Sequence, residues 1–138
     1  MKFKLSVLTF LVTLLLTTVF LTALATNMPG ITPQYTYTSV IKSSISVSGK
    51  TATAAGSITP KPYNRKTFVK VQLQRKVNGS WTTIAFWTGS NENGVSSAIG
   101  SKTLIKGSTY RVYTIGKVYD SSGNLLETVY KASSIYSY

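Results

Sequence analysis

The chain has 138 residues, of which 15 are lysine or arginine and three are aspartate or glutamate, so its formal net charge at pH 7 is +12. It contains neither histidine nor cysteine. These absences exclude disulfide bonds, thiol nucleophiles and the commonest proton shuttle at neutral pH. The length is that of one domain with a single hydrophobic core.

The first 25 residues have the features of a secretory signal peptide. A basic start with Lys2 and Lys4 precedes an apolar stretch from Leu5 to Leu24, and Ala23-Leu24-Ala25 supplies the small residues of a cleavage site. An uncleaved membrane anchor is the alternative, because about 20 apolar residues can span a bilayer. In both cases we expect the rest of the chain to be exported, either secreted or held on the extracellular face of the cell envelope.

The exported part is strongly basic. Without the first 25 residues, 13 basic and three acidic side chains remain, which gives a net charge of +10. Export without cysteine is typical of bacteria, since small secreted domains elsewhere are often held by disulfides. The lack of cysteine also excludes a lipid-modified cysteine as an anchor.

Residues 26–34 are predicted to form an extended linker, because Pro29, Gly30 and Pro33 interrupt any periodicity. The domain is predicted to cover residues 35–138. In this region apolar residues recur at every second position, and valine, isoleucine, threonine and tyrosine predominate, which is typical of β-strands. No segment shows the spacing of an amphipathic helix.

About seven strands follow from this alternation and from the turn residues between them. They are predicted at Ile41–Val47, Thr51–Ile58, Phe68–Val77, Trp81–Thr88, Val95–Leu104, Thr109–Tyr119 and Leu125–Tyr136. Asn78-Gly79 is a strong two-residue hairpin turn, since both positions require positive φ. Residues 120–124 form a second cluster of turn-forming residues. Regular strands without helices indicate an all-β protein, either an antiparallel sandwich or a small barrel.

Leu104, Gly107 and Tyr110 favour the sandwich. The segment L-I-K-G-S-T-Y-R-V, which contains them, resembles the corner of immunoglobulin-like and fibronectin type III domains. The resemblance implies that Tyr110 buries its ring and returns its hydroxyl to the backbone a few residues upstream. The predicted fold is therefore a single immunoglobulin-like antiparallel β-sandwich.

Three segments carry a wider resemblance: W-T-T-I-A-F-W, K-G-S-T-Y-R-V and V-Y-D-S-S-G-N-L-L-E. Through them, the stretch from Trp81 to Tyr138 is similar to a family of small secreted Gram-positive bacterial proteins of unknown function. This resemblance implies a fold and an extracellular location, and it supplies no active residues.

The three acidic side chains form no predicted catalytic group. Glu92 and Asp120 fall in predicted loops, and Glu127 falls in the last strand. A glycosidase needs two carboxyl groups facing each other across a cleft, and no spacing arranges such a pair. Asp120 is interpreted as a turn residue and Glu127 as a solvated charge. Since no phosphate-binding glycine loop or metal-ligand spacing occurs, we predict a protein that is not an enzyme and holds no metal or cofactor.

The basic residues follow the strand alternation. If Val69, Val71 and Leu73 face the core, the residues between them face outward, and Tyr110 and Val112 set the same alternation near the end of the chain. These two strands pair directly in an immunoglobulin-like sandwich. The outward-facing binding candidates are Lys70, Gln72, Lys76, Arg111, Tyr113, Lys117 and Tyr119, with Lys131 added from the last strand.

Clustered cations and tyrosines suit an anionic polymer. The expected partners are an anionic cell-wall polymer, an acidic polysaccharide or lipid headgroups, whereas export argues against nucleic acid as a partner in vivo. The first hypothesis is a monomeric, non-catalytic binding module. The alternatives are a cationic secreted antagonist or membrane-active protein, a structural component that assembles through sheet edges, and a solvated face whose lysines prevent aggregation.

The two tryptophans are predicted to share one face of their strand, because Trp81 and Trp87 are an even number of residues apart. Their simplest role is in the core or over a sheet edge. If that face is exposed, both become candidates for binding carbohydrate or a membrane interface.

Overall fold

The computed structural model describes residues 33–138, and in this part of the chain every regular element is a strand. The strands are β1 (Thr38–Ser48), β2 (Thr51–Pro60), β3 (Lys66–Val77), β4 (Ser80–Asn91), β5 (Ser96–Thr103), β6 (Thr109–Tyr119), β7 (Leu125–Ala132) and β8 (Tyr136–Ser137). All seven predicted strands are present, with their ends displaced by up to four residues. The predicted signal peptide and most of the predicted linker lie outside the described residues.

The strands form two antiparallel sheets that pack against each other, which confirms the predicted all-β sandwich. One sheet has the order β1-β2-β5, and the other has the order β4-β3-β6-β7, with β8 paired to the start of β6. In a constant-type immunoglobulin domain the fourth strand lies beside the fifth. Here β4 pairs with β3, so that three strands oppose five, including the short β8, and β3 with β6 forms the centre of the larger sheet.

The core lies between the two sheets and follows from the alternation of the strands. Val69, Val71 and Leu73 of β3 are fully buried, as the sequence predicts. The other buried apolar residues are Ala52, Ala54, Ile58, Ala98, Leu104, Tyr110, Val112, Val118 and Val129. Because only one side of each strand is buried in this way, the opposite side of the larger sheet is left to carry polar and charged groups.

The hairpin between β3 and β4 turns at Asn78-Gly79. Both residues have positive φ, 49° and 81° respectively, as a two-residue hairpin turn requires. Asparagine tolerates this left-handed conformation better than most residues, and glycine adopts it without steric cost. The turn fixes which residue of β4 lies opposite each residue of the first part of β3.

The corner before β6 has the geometry that the resemblance implies. Tyr110 is fully buried, and its hydroxyl donates a hydrogen bond to the carbonyl oxygen of Ile105 at 3.0 Å. The N–H of Ile105 donates back to the same hydroxyl at 2.8 Å. Leu104 is buried beside it, and Gly107 takes the positive φ, 76°, of the turn. The hydroxyl of this buried ring therefore has both a hydrogen-bond donor and an acceptor as partners, and its bonds hold the loop before β6 in place.

The last strand is shorter than predicted. β7 ends at Ala132, because Ser133 pairs with Val112 through its side chain as well as its backbone. The N–H of Ser133 donates to the carbonyl of Val112, and its hydroxyl accepts from the N–H of Val112, each at 2.8 Å. Pairing with β6 resumes at Tyr136, displaced by one residue. The prediction of one continuous strand to Tyr136 was wrong because it did not include this irregularity.

Glu127 ties the beginning of the domain to β7. Its carboxylate accepts hydrogen bonds from the N–H groups of Thr36 at 2.9 Å and Tyr37 at 3.1 Å. The ring of Tyr37 in turn lies 4.9 Å from the guanidinium carbon of Arg65. The interpretation of Glu127 as a solvated charge was therefore wrong, since the residue is half-buried and orders the segment that precedes β1.

Candidate functional site

The outer surface of the larger sheet carries most of the predicted binding residues. Because the apolar residues of β3 and β6 point inward, the residues between them point away from the core. Lys70, Gln72, Lys76, Arg111, Tyr113, Lys117 and Tyr119 all lie on this side. We call this surface the basic face; it also contains Lys66, Phe68, Gln74 and Ile115 on the same two strands, Trp81, Thr83, Phe86 and Thr88 on β4, and Thr128 and Tyr130 on β7.

Lys131 does not belong to the basic face. It lies opposite Thr114, which is fully buried and points inward, whereas the outward-pointing Ile115 lies opposite Tyr130. Lys131 is therefore exposed at the edge of the sandwich on the core side of β7. Its inclusion was wrong because the alternation of β7 is set by pairing with β6, and this pairing places Tyr130 on the face.

The two tryptophans lie on opposite sides of β4, contrary to the prediction. The pairing of β3 with β4 shifts by one residue at Ile84, which is an extra residue in β4. Such a bulge reverses the alternation along a strand. Trp81 consequently stands on the basic face opposite Lys76, whereas Trp87 packs against the core.

Arg111 is held between two aromatic rings. Its guanidinium carbon lies 4.4 Å from the ring centroid of Trp81 and 5.2 Å from that of Tyr113. Its Nε donates a hydrogen bond to Oε1 of Gln74 at 2.8 Å. These contacts fix the plane and the direction of the guanidinium, and its two terminal nitrogens are the pair that can bind a carboxylate or phosphate in a bidentate manner.

Gln74 supports Arg111 from below. It points toward the basic face but is only 8% exposed, so neighbouring side chains cover it. Its amide nitrogen donates to Oε1 of Gln72 at 3.3 Å and to Oγ1 of Thr83 at 3.4 Å, which leaves its oxygen for Arg111. A chain of hydrogen bonds across β6, β3 and β4 thus orients the guanidinium.

Four of the five cations of the basic face form two groups, and the fifth, Lys66, is paired with Glu92 at the end of the face. The arginine cluster consists of Arg111 and Lys76 around Trp81, with the Lys76 ammonium 5.9 Å from the Trp81 ring centroid. The lysine cluster consists of Lys70, which lies 4.5 Å from the ring centroid of Phe86, and Lys117, a diagonal cross-strand neighbour of Lys70. Aromatic contact with a cation is worth about 0.5–1 kcal/mol at an exposed site, so the rings help to position the charges.

Apolar surface lies between the two clusters. Tyr113 and Tyr130 stack across β6 and β7, with ring centroids 6.0 Å apart and an interplanar angle of 20°. Phe86 is 58% exposed and Tyr130 is 52% exposed. The basic face therefore combines fixed positive charges with accessible aromatic rings.

Two of the acidic residues line a cleft of about 680 Å³ at the far end of the basic face. Its lining includes Glu92, Asp120, Arg65 and Lys66. The sequence did not predict that Glu92 and Asp120 would share a cleft. Glu92 forms an ion pair with Lys66, with Oε1 2.9 Å from Nζ.

Asp120 is bound within its own turn. Its Oδ1 accepts hydrogen bonds from the N–H groups of Ser122 at 2.9 Å and Asn124 at 2.8 Å, and its Oδ2 accepts from the side-chain amide of Asn124 at 2.9 Å. The contacts with Asn124, first from its side chain and then from its backbone, lower the pKa of Asp120 below the ordinary value of 3.8. A glycosidase general acid requires the opposite shift, so Asp120 is suited to the turn and not to that role.

Tyr113 and Tyr119 were among the predicted binding residues, whereas two exposed aromatic members of the basic face, Phe86 and Tyr130, were not. Phe86 alternates with Trp87, so a core position for Trp87 already implies that Phe86 points outward; the bulge at Ile84 is needed only to place Trp81 on the same side. Tyr130 follows the buried Val129, and this alternation is the signal that could have replaced Lys131 by Tyr130.

No protein-family model matches this chain, and comparison with curated proteins finds no match to it. Within residues 33–138, no group of three or more acidic, histidine or cysteine side chains could hold a metal ion. The same residues include no helix long and apolar enough to cross a membrane.

Proposed function

We propose that this protein is a secreted or cell-surface binding module without catalytic activity, whose basic face binds anionic polymers of the cell envelope. The observation that carries the proposal is the position of Arg111 between Trp81 and Tyr113, with its Nε fixed by Gln74. A charge that is only solvated does not need such support, whereas a bound oxyanion benefits from a donor that is already oriented.

The distribution of charge agrees with this function. Five cations, Lys66, Lys70, Lys76, Arg111 and Lys117, lie on the basic face. In the described chain the one carboxylate paired with them is Glu92, at the end of the face near Lys66. A surface with one predominant sign of charge concentrates polyanions near it and accelerates their binding.

The expected extracellular location of the protein supports this choice of partner. The basic start, the apolar N-terminal segment and the resemblance to small secreted Gram-positive proteins favour a location outside the cytoplasm. The polyanions found there are wall polymers, acidic polysaccharides and lipid headgroups, which all present oxyanions. The domain acts as a monomer in this proposal.

Binding to envelope fragments of a Gram-positive bacterium tests the proposal. The variant Lys70→Gln, Lys76→Gln, Arg111→Gln, Lys117→Gln removes four charges from the basic face. The control variant Lys42→Gln, Lys50→Gln, Lys102→Gln, Lys131→Gln removes four exposed charges from other surfaces and has the same net charge. We expect the wild type and the control to sediment with the fragments at low salt and the first variant to stay in solution.

Salt separates charge-driven binding from other attachment. Wild-type protein should be released by ~1 M NaCl, because a Debye length of about 3 Å screens charges at that ionic strength. Wild-type protein that stays in the medium at low salt would contradict the proposal, as would equal losses of binding in the two variants.

A second candidate function, a cationic membrane-active protein, is favoured by the exposed rings of Phe86 and Tyr130 on the basic face. Aromatic rings with neighbouring lysines occur at membrane interfaces. Leakage of a dye from vesicles that contain phosphatidylglycerol is the expected result for this function. Vesicles that stay sealed while envelope fragments still bind the protein would exclude it.

A further inference from the structure

We infer that the preferred ligand of the basic face is a linear acidic polysaccharide, with carboxylates on its sugar rings, that lies along β3 and β6 and contacts both cation clusters at once. This inference rests on the proposed function and names its ligand class. It is carried by three features of the basic face: the separation of the clusters, the apolar surface between them and the orientation of Arg111.

The two clusters are too far apart for one small anion. Arg111 and Lys117 are six residues apart on β6, which corresponds to about 20 Å along an extended strand. Lys76 and Lys70 are six residues apart on β3, which pairs with β6 in the antiparallel direction. A ligand that neutralises both clusters must therefore be a chain, and its axis must run nearly parallel to these two strands.

The surface between the clusters is suited to sugar rings. Tyr113 and Ile115 lie between Arg111 and Lys117 on β6, and Tyr130 lies beside Ile115 on the neighbouring β7. Phe86 lies on β4, two strands away from β6, beside Gln72 of β3. Rings that are about half exposed offer flat apolar surfaces with a polar tip on each tyrosine. A pyranose ring has an apolar side and hydroxyl groups at its rim, and it can use both, whereas a polyphosphate chain or a lipid headgroup has no flat apolar ring to place there.

Arg111 is suited to a planar anion. With Nε bound to Gln74, its terminal nitrogens can contact both oxygens of one carboxylate in the plane fixed by Trp81 and Tyr113. The lysines of the other cluster act as point charges and impose no plane. The face thus has one oriented anion site and one less directional site, joined by an apolar path.

Equilibrium binding of the exported protein to three polyanions of matched charge number tests the inference. The probes are polygalacturonate, which has carboxylates on sugar rings; poly-L-glutamate, which has carboxylates without sugar rings; and polyphosphate. We expect polygalacturonate to bind roughly tenfold more tightly than the other two, because only it uses the aromatic surface. We also expect its affinity to rise steeply once oligogalacturonates are long enough to span both clusters.

Two variants test whether the exposed aromatic rings cause the tighter binding of polygalacturonate. Phe86→Ala and Tyr130→Ala remove exposed rings and leave the core unchanged. Each should weaken polygalacturonate binding by roughly 2- to 10-fold, while polyphosphate binding changes less than about twofold. Ser46→Ala, on the outer side of the other sheet, serves as a control for both ligands.

The possible results distinguish failure of the proposed ligand class from failure of the proposed polyanion-binding function. Equal affinities for the three polyanions, or equal effects of Phe86→Ala on all of them, would overturn the ligand class and leave the polyanion-binding function standing. If none of the three binds, the proposed function itself is contradicted. Binding that shows no dependence on oligogalacturonate length would overturn the two-cluster mode.

Discussion

The loop before β6 is held by the hydrogen bonds of a single hydroxyl group. The Tyr110 hydroxyl is a donor to the carbonyl of Ile105 and an acceptor for its N–H. Both backbone groups would lose their partner in Tyr110→Phe, while the ring would stay buried. Because a partly buried polar group without a partner costs about 1–3 kcal/mol, we expect the free energy of unfolding to fall by about that amount.

Urea denaturation of Tyr110→Phe measures this loss. Tyr130→Phe is the matched control, since Tyr130 is 52% exposed and lies on the basic face. Its stability should change by less than about 0.5 kcal/mol. A Tyr110→Phe variant as stable as this control would show that the hydroxyl does not hold the corner.

Asp120 adds a pH dependence to stability. Hydrogen bonds to Asn124 and to neighbouring backbone groups lower the folded-state pKa of Asp120 below 3.8. The charged carboxylate therefore stabilises the fold above that pH, and this contribution is lost as the pH falls through the lowered pKa. We expect wild type to be more stable than Asp120→Asn at pH 7 and the two to converge in acid.

Urea midpoints of the two proteins between pH 7 and pH 2 check this expectation. Glu92 and Glu127 are present in both proteins, so their titration is common to the two curves. A difference in midpoint that stays constant over the whole range would mean that charge at Asp120 does not contribute.

At the scale of elements, the packing of β5 against β4 depends on a close approach. The ring of Trp87 lies on Gly100, at the position that a Cβ atom of residue 100 would occupy. Gly100→Ala must therefore displace the tryptophan from the core, and overpacking of this kind costs about 1–3 kcal/mol. We expect lower stability and a red shift of the fluorescence of Trp87, recorded in a Trp81→Phe background.

Ser97→Ala, on the same strand with an exposed side chain, is the control for Gly100→Ala. Its stability and emission should stay close to those of its parent. An unchanged emission spectrum in Gly100→Ala would show that the ring does not rest on this residue.

Strands and turns could be predicted because their signals are local. The alternation of Val69, Val71 and Leu73 and the two turn residues Asn78-Gly79 each act within a few positions, and the structure confirms them. The corner at Tyr110 is also local, since its partner is five residues away. These elements together were enough to indicate the sandwich and the pairing of β3 with β6.

The remaining features depend on residues that are distant in the sequence. The bulge at Ile84 reverses the alternation of β4 and separates Trp81 from Trp87, and no turn residue marks it. The side of Lys131 depends on its register with β6. Glu127 binds N–H groups about 90 residues earlier, which no local pattern reveals. The support of Arg111 by Gln74 likewise requires the paired register of two strands.

At the scale of the whole molecule, net charge and the position of the charges make different contributions to the binding of polyanions. A net charge of +12 attracts any polyanion, whichever surface carries the charge. The basic face adds oriented donors and aromatic rings at defined positions, and only these can distinguish one polyanion from another. Two variants that each lose one positive charge, at different positions, have the same net charge and so separate the two contributions.

Affinity for polygalacturonate in Arg111→Gln and Lys131→Gln is the most direct measurement. Each variant removes one positive charge from the same sheet, but Arg111 lies on the basic face and Lys131 lies on the opposite side of β7. Thermal melting of both proteins would confirm that each is folded. We expect Arg111→Gln to bind at least about tenfold more weakly than wild type, in line with loss of a charge-assisted bidentate contact, and Lys131→Gln to bind within about twofold of it. Equal losses in the two variants would contradict the basic face as the binding site.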